Sequence, residues 1–350
     1  MISTGLHRPE PRAAARAATF VRGVHLTFGP SGTPYTREPD LLRYLDDMLT
    51  PLGVSHSERN MATGNRNTYA FLSERVIEVL RPGALDLVVI GHARSDFDPR
   101  LSLSGQLNTL LDGDPLCFAI SDQGELAPFT ALQVLRAHLR GGRARHALML
   151  LLDQSTHPYP ERSADVGPAL DHAVGVLFDT SNESGDAVAA RPGDGWAVAA
   201  VEQRSAVLDG QVAATLARLV GQLPPAPGPV TVIAGEHVVD AGILPANWWG
   251  EQAGRRLRTV AAGAPGIPPW TAAVDLLTAG PTGSAGPTGS AGSPGSAGSA
   301  GSPGAVGAVG SAGCACGRVL VIEYDAVLRG LGIAAFDRSG WQRRDGVELP

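Results

Sequence analysis

Apolar and polar residues along this chain follow two periods. Val21–Phe28 (Val-Arg-Gly-Val-His-Leu-Thr-Phe) alternates with period two and predicts a first strand. Leu41–Leu49 and Asn67–Leu80 repeat at helical spacing, and Pro82-Gly83 closes the second. Leu85–Gly91 is almost continuously apolar, the pattern of a strand covered on both faces. Leu116–Ser121 predicts the next strand and Pro128–Arg140 a helix, with Phe129, Leu132, Leu135 and Leu139 on one side and Gly141-Gly142 at its end. Ala147–Leu152 is a further buried strand. In the second half, Ala173–Phe178, Gly195–Val201 and Pro229–Ala234 read as strands. Gly210–Gln222, Glu251–Val260 and Thr271–Ala279 read as helices, and Arg318–Tyr324 with Gly332–Phe336 as a closing strand pair.

Two stretches fall outside this pattern. Residues 1–17, punctuated by Pro and Arg, read as a loose leader. Residues 281–313 repeat Pro-Thr-Gly-Ser-Ala-Gly with variants, a composition that cannot bury enough apolar surface to offset its ordering entropy, so a disordered insertion is expected. The remainder divides into one half at 18–165 and another at 166–280 plus 314–350. A chain of 350 residues is long for one domain and comfortable for two halves sharing a core. The net charge of −6 argues against nucleic acid as a partner. Three cysteines cannot build a disulfide framework, and the first twenty residues lack the apolar segment of a secretory signal, so a cytoplasmic setting is expected. The longest apolar run, Ala147–Leu152, is far too short to span a bilayer, so no membrane partner is expected.

The order of several segments carries a resemblance. Ser73–Leu80 leads into Leu85–Ile90, followed by the loop Asp96-Phe97-Asp98-Pro99. Next come Phe118–Ser121, a sharp turn, Ala131-Leu132 and Gly141–Asp153, and the chain closes through Gly317–Phe336. This layout resembles the thiolase superfamily, in particular its ketoacyl synthase III branch. The resemblance covers about residues 20–155, is patchy beyond, and includes the closing strands. It implies an α/β fold of the thiolase-like five-layered αβαβα type, with two pseudo-repeated halves. It also implies two-fold dimers in which the nucleophile strands pair across the interface. The expected substrates are acyl thioesters. Coenzyme A or phosphopantetheine would be the substrate carrier, with no tightly bound cofactor and no metal.

The family uses Cys, His and Asn. A cysteine at the start of the buried helix takes the acyl group, its thiolate favoured by the helix N-terminus. Here the cysteine position falls on Gly124 when counted from the strand and on Glu125 when counted back from Ala131-Leu132. His237 is the histidine placed to match the family's, or else a locally bonded loop residue. The asparagine's region, Gly263–Pro269, contains none, and Asn247 is too early. Ser121 is then a candidate nucleophile with His237 as its base, or a turn cap. Glu125 is a candidate base at a helix N-terminus, or an ordinary first-turn acid, and Gln123 can mimic an acylated side chain. Arg255, Arg256 and Arg258 could meet a cofactor phosphate or an acidic carrier protein, and Trp248-Trp249 could line an acyl or pantetheine channel. Weaker candidates are His157 after a strand end, the loop pair Asp96 and Asp98, and Cys314-Ala-Cys316. Cys117 reads as a small residue packed in the sheet.

These features point to a ketoacyl synthase III-like acyltransferase acting on acyl thioesters of coenzyme A or a carrier protein, in specialised metabolism, with a non-standard site. The alternative is a catalytically silent ketosynthase-like partner subunit, and a lesser one is a malonyl-thioester decarboxylase. Expected partners are an acyl carrier protein and either a second copy of the chain or a ketosynthase-like homologue.

Overall fold

The computed structural model describes residues 17–32, 34–100, 102–159, 170–180, 195–240, 243–244, 255–260, 267–279 and 316–339. The leader and the insertion expected at 1–17 and 281–313 lie outside these, but for residue 17.

Ten strands hydrogen-bond in the order β3-β2-β4-β5-β1-β6-β10-β9-β7-β8. The first five are β1 (Thr19–Phe28), β2 (Leu87–His92), β3 (Leu116–Ile120), β4 (His146–Asp153) and β5 (Asp171–Asp179). The second five are β6 (Trp196–Arg204), β7 (Val230–Gly235), β8 (Arg255–Val260), β9 (Arg318–Asp325) and β10 (Gly330–Arg338). The two sets are copies in topology. β1-β5-β4 and β6-β10-β9 are antiparallel, whereas β4-β2-β3 and β9-β7-β8 are parallel. Among the described residues the pairs Thr19↔Ala197 and Phe20↔Trp196 join the sets. The expected pseudo-repeat is therefore explicit, with a moved boundary: β5, assigned above to the second half, completes the first sheet. The division at 165/166 shifts to the stretch between Asp179 and Trp196.

Among the described residues, eight α-helices cover the sheets: α1 (Pro39–Leu49), α2 (Glu58–Thr63), α3 (Tyr69–Leu80), α4 (Leu103–Leu110), α5 (Ala127–Arg140), α6 (Val212–Gly221), α7 (Glu236–Asp240) and α8 (Pro268–Thr278). Helix α5 touches β2 and β4 of the first sheet and β6 and β10 of the second; α8 touches β1 and β5, and β7 and β9. These two helices form the middle layer. α3 and α4 cover the outer face of the first sheet, α6 and α7 that of the second. The strands' period-two side chains serve two cores. Ala147, Met149 and Leu151 of β4 face the middle layer, while Leu148, Leu150 and Leu152 face α3. That double burial explains the unbroken apolar runs. Phe129 of α5 meets Trp270 of α8 edge-on at 5.3 Å, and Trp270 meets Phe336 of β10 at 6.3 Å. Pro128 in the first turn of α5 and Pro268-Pro269 in that of α8 give up N–H groups that have no helical partner anyway.

One predicted helix is a strand. Glu251–Val260 was expected to be helical, yet Arg255–Val260 pairs in parallel with β7 as β8. Arg and Leu are good helix formers, but propensity is weak beside tertiary context, and register with β7 overrides it. Leu257 is half-buried while Arg256 and Arg258 stay exposed on this edge strand. The short helices α2 and α4 were not foreseen; each starts from a serine cap, Ser57 and Ser102, rather than from a long apolar stripe.

Phe129→Ala should lower the unfolding free energy by about 3–5 kcal/mol, the cost of a cavity between two sheets. Leu52→Ala, at a residue 72% exposed, should change it by under about 0.5 kcal/mol. Urea unfolding of the two variants checks the contrast.

Candidate active site

Strand β3 ends at Ile120, and the chain must turn sharply to enter α5. Asp122 (φ 60°) and Gly124 (φ 51°) take the left-handed conformation, and one 3-10 turn, Gly124–Leu126, feeds the helix. The hairpin between β9 and β10 comes up against this turn. Asp325 Oδ2 accepts from the Glu125 N–H at 3.1 Å, and Asp325 Oδ1 accepts from Val327 and Leu328 N–H at 2.9 and 2.8 Å. A Cβ on Gly124 would overlap the Asp325 carboxylate, so the glycine is required by space as well as by φ.

Strand β9 brings a second carboxylate. Glu323 is only 4% exposed, and its Oε1 accepts from Tyr324 N–H at 3.0 Å. A Cβ on Gly235, the last residue of β7, would overlap the Glu323 carboxyl group. Immediately after Gly235 comes α7, which carries His237. Its Nε2 lies 3.8 Å from Glu125 Oε1, with the Glu125 side chain 18% and the His237 side chain 57% exposed. Glu125 thus points inward, and His237 is the site's wet side.

Burial sets the protonation of this cluster. It pushes Glu125 up from 4.5 to about 7; His237 pulls the value down and Asp325 adds to the rise. Glu323 is raised well above the ordinary carboxyl range, first by burial and then by the charge of Glu125 beside it. Both carboxyls therefore favour the protonated form more than a solvated glutamate does. Arg94, in the loop after β2, adds a positive field at Glu125.

The other expected residues divide clearly. Glu125 and His237 are brought together. Ser121 is turned elsewhere: its hydroxyl donates to Asp122 Oδ2 at 3.0 Å, and the carboxylate partner of His237 is Glu125. Gln123 is taken up by Thr130, whose Oγ1 lies between the side-chain amides of Gln123 and Gln203 (2.8 Å to Gln203 Oε1). With a single hydroxyl proton, one of those amides must offer its NH2. His157 is a buried structural residue: Arg94 Nη1 donates to its Nε2 at 2.8 Å, and burial lowers its pKa to about 4. Asp96 is no solvated loop acid, for it accepts from Tyr69 N–H at 2.9 Å, at the start of α3, and burial raises it to about 6. Asp98 grips Arg100 at 2.7 and 2.6 Å. Cys117 is a half-buried free thiol pushed up to about 11 by burial. No cluster of three metal-ligating groups exists among the described residues, and none of their helices is long and apolar enough to cross a membrane.

Of the basic cluster, Arg256 pairs with Thr231, four positions along the strand from the Val260↔Gly235 pair that borders Glu323, roughly 13 Å away, and Arg258 pairs with Ile233, its Nη2 4.0 Å from Asp275 Oδ2. Arg255 contributes its backbone to β8, while Trp248, Asn247 and Cys314 lie outside the described residues. Glu323 and Asp325 were missed in the sequence. Their signal was an acidic pair closing the apolar run Val319–Ile322, where a strand buried on both faces has no solvent for charge.

No protein-family model and no curated sequence matches the chain. Solved structures do match in fold. AbyA1, a tetronic acid condensing enzyme, superposes with a TM-score of 0.54 at 14% identity, over 91% of this chain and 99% of that one. The 3-oxoacyl-(acyl carrier protein) synthase III FabH of Pseudomonas aeruginosa PAO1 gives 0.50 at 15% identity, over 93% and 99%. A variant of OleA of Xanthomonas campestris, with bound lauric acid and lauroyl-CoA, gives 0.50 at 11% identity, over 93% and 100%. The chain has the thiolase-like fold of these proteins, as its segment order led one to expect.

The pKa of Glu125 has a consequence for stability. A carboxyl that holds its proton more tightly when folded favours the fold fully below 4.5, and loses that advantage as pH rises through about 7. Glu125→Gln, a permanent mimic of the protonated form, should be more stable than wild type at pH 8, by on the order of 3 kcal/mol, and nearly equal to it at pH 4.5. Unfolding curves at both pH values test this.

Proposed function

We propose that this protein transfers acyl groups from thioesters of coenzyme A or an acyl carrier protein to a bound acceptor, without an acyl-enzyme intermediate. The observation that carries this reading is the Glu125–His237 pair, 3.8 Å apart at the entrance to α5. A carboxyl tuned to about 7 is suited to take and return a proton near neutral pH. In the step proposed, the acceptor's lone pair forms a bond to the thioester carbonyl carbon and its proton passes to Glu125. The carbon–sulfur bond breaks, the thiolate keeps the electron pair, and it takes a proton from His237. Glu125 then passes its proton to His237, which restores the site. The N-terminal peptide groups of α5 favour the negative charge that develops on the carbonyl oxygen. Specialised metabolism is the setting we favour, in keeping with the tetronic acid condensing enzyme among its neighbours in fold.

Strand β3 supports the expectation of a dimer. Among the described residues it has one neighbour, β2, and its Leu116 is 55% exposed. On this reading two copies meet along β3, and sedimentation as a monomer at micromolar concentration would remove that part of the proposal.

Hexanoyl-CoA incubated with the protein and a mixture of amine and alcohol acceptors should release free thiol faster than the blank. Glu125→Gln and His237→Ala should each reduce the rate by about 10²–10⁴-fold. Ser121→Ala should keep most of it, and intact-mass analysis should find no acyl adduct. Thiol release equal to the blank from a folded dimer would replace this reading with that of a silent partner subunit.

A further inference from the structure

A cavity of about 460 Å³ opens between the loop after β1, helices α1 and α2, and the start of α3. Glu125, Glu323 and His237 are not among its lining residues. Its walls are mainly apolar and aromatic, from Leu41, Met61, Phe71 and Phe97, and its polar points include the Tyr35 hydroxyl and Arg66. The volume falls within the range of small-molecule sites, ~300–1,000 Å³, which commonly join an apolar body to a few directed polar groups.

The walls are fastened. Ser31 N–H donates to Asn65 O at 2.8 Å, and Asn67 Nδ2 donates to Gly29 O at 2.9 Å, which tie the loop after β1 to the segment before α3. On the other side Arg100 bridges Glu38 and Asp98 at 2.7 and 2.6 Å, and so holds the Phe97 loop against the start of α1. Arg66 has a positive φ of 60°, fixed by donation of its N–H to Thr156 Oγ1 at 2.8 Å. This conformation is uncommon for a long side chain, and the guanidinium of Arg66, a residue that lines the cavity, donates from Nη1 to Ala62 O at 2.8 Å and to Gly64 O at 3.2 Å. The Tyr35 oxygen is buried and makes no hydrogen bond within the described protein. A buried hydroxyl left that way is unfavourable, and an acceptor placed in the cavity would offset that cost. Two carboxylates, Glu58 and Glu38, act on the Tyr35 hydroxyl, and each is paired with an arginine, Glu58 with Arg37 at 3.2 Å and Glu38 with Arg100 at 2.7 Å.

We propose that this cavity is a second binding site, separate from the Glu125 cluster, for a small carboxylic acid with an apolar body. The body lies among Met61, Phe71 and Phe97, and the carboxylate accepts from Tyr35 and faces Arg66.

Phenylacetate is the probe, titrated against the full chain and followed by saturation-transfer NMR, with benzylammonium as the cationic control. Wild type should bind phenylacetate saturably and ignore benzylammonium. Tyr35→Phe, which removes one oxygen, should weaken binding at least about fivefold. Met61→Trp, which fills the cavity, should abolish it, and Glu125→Gln should bind as wild type does. Binding is read without turnover, so a failure of the proposed acyl transfer leaves this result standing. The proposal falls if phenylacetate gives no transfer at millimolar concentration, if Tyr35→Phe binds it as well as wild type, or if Glu125→Gln loses it. Circular dichroism establishes that each variant is folded; should Met61→Trp not fold, Tyr35→Phe decides.

Discussion

Everything at the site depends on how α5 is held. A helix gripped by one sheet can shift to suit its contents; one packed between two cannot. Phe129 against Trp270, and Trp270 against Phe336, tie α5 to α8 and both helices to the second sheet. The N-terminal end of α5 is therefore a fixed point. The turn that enters it, the hairpin of β9 and β10, and the end of β7 must all be built around that point.

What they build is a carboxylate cluster in which two glycines decide the geometry. Gly124 makes room for Asp325, and Gly235 makes room for Glu323. The cluster sets buried acids beside an imidazole open to solvent. The N-terminal end of α5 moderates the cost of ionising Glu125.

The layered fold was legible because double burial leaves a strong mark. Runs such as Leu87–Ile90 and Ala147–Leu152 have no polar face, and only a sheet covered on both sides accommodates them. The turn at Asp122–Gly124 was legible too, from its position between an apolar strand and a helix opened by Pro128. β8 was not, since Arg255–Val260 carries three arginines and its identity as a strand comes from β7 alongside. Glu125 and His237 could be named in advance because each follows directly on a predicted strand and turn. Glu323 and Asp325 escaped notice because their role arises from contacts some two hundred residues away along the chain. Ser121 illustrates the converse. Its type and place fitted a nucleophile, but a hydroxyl beside an aspartate satisfies itself locally.

The two ends of the ten-stranded order differ in character. Among the described residues β3 and β8 are the outermost strands; β3 leaves Leu116 exposed, whereas β8 exposes Arg256 and Arg258, the latter with Nη2 4.0 Å from Asp275 Oδ2. Guanidinium groups on an outermost strand repel a like neighbour and keep the backbone hydrated. Sheet extension is thereby disfavoured at β8 more than at β3. Two molecules joined along β3 would present only the arginine-bearing strands, which would favour a pair over a fibre.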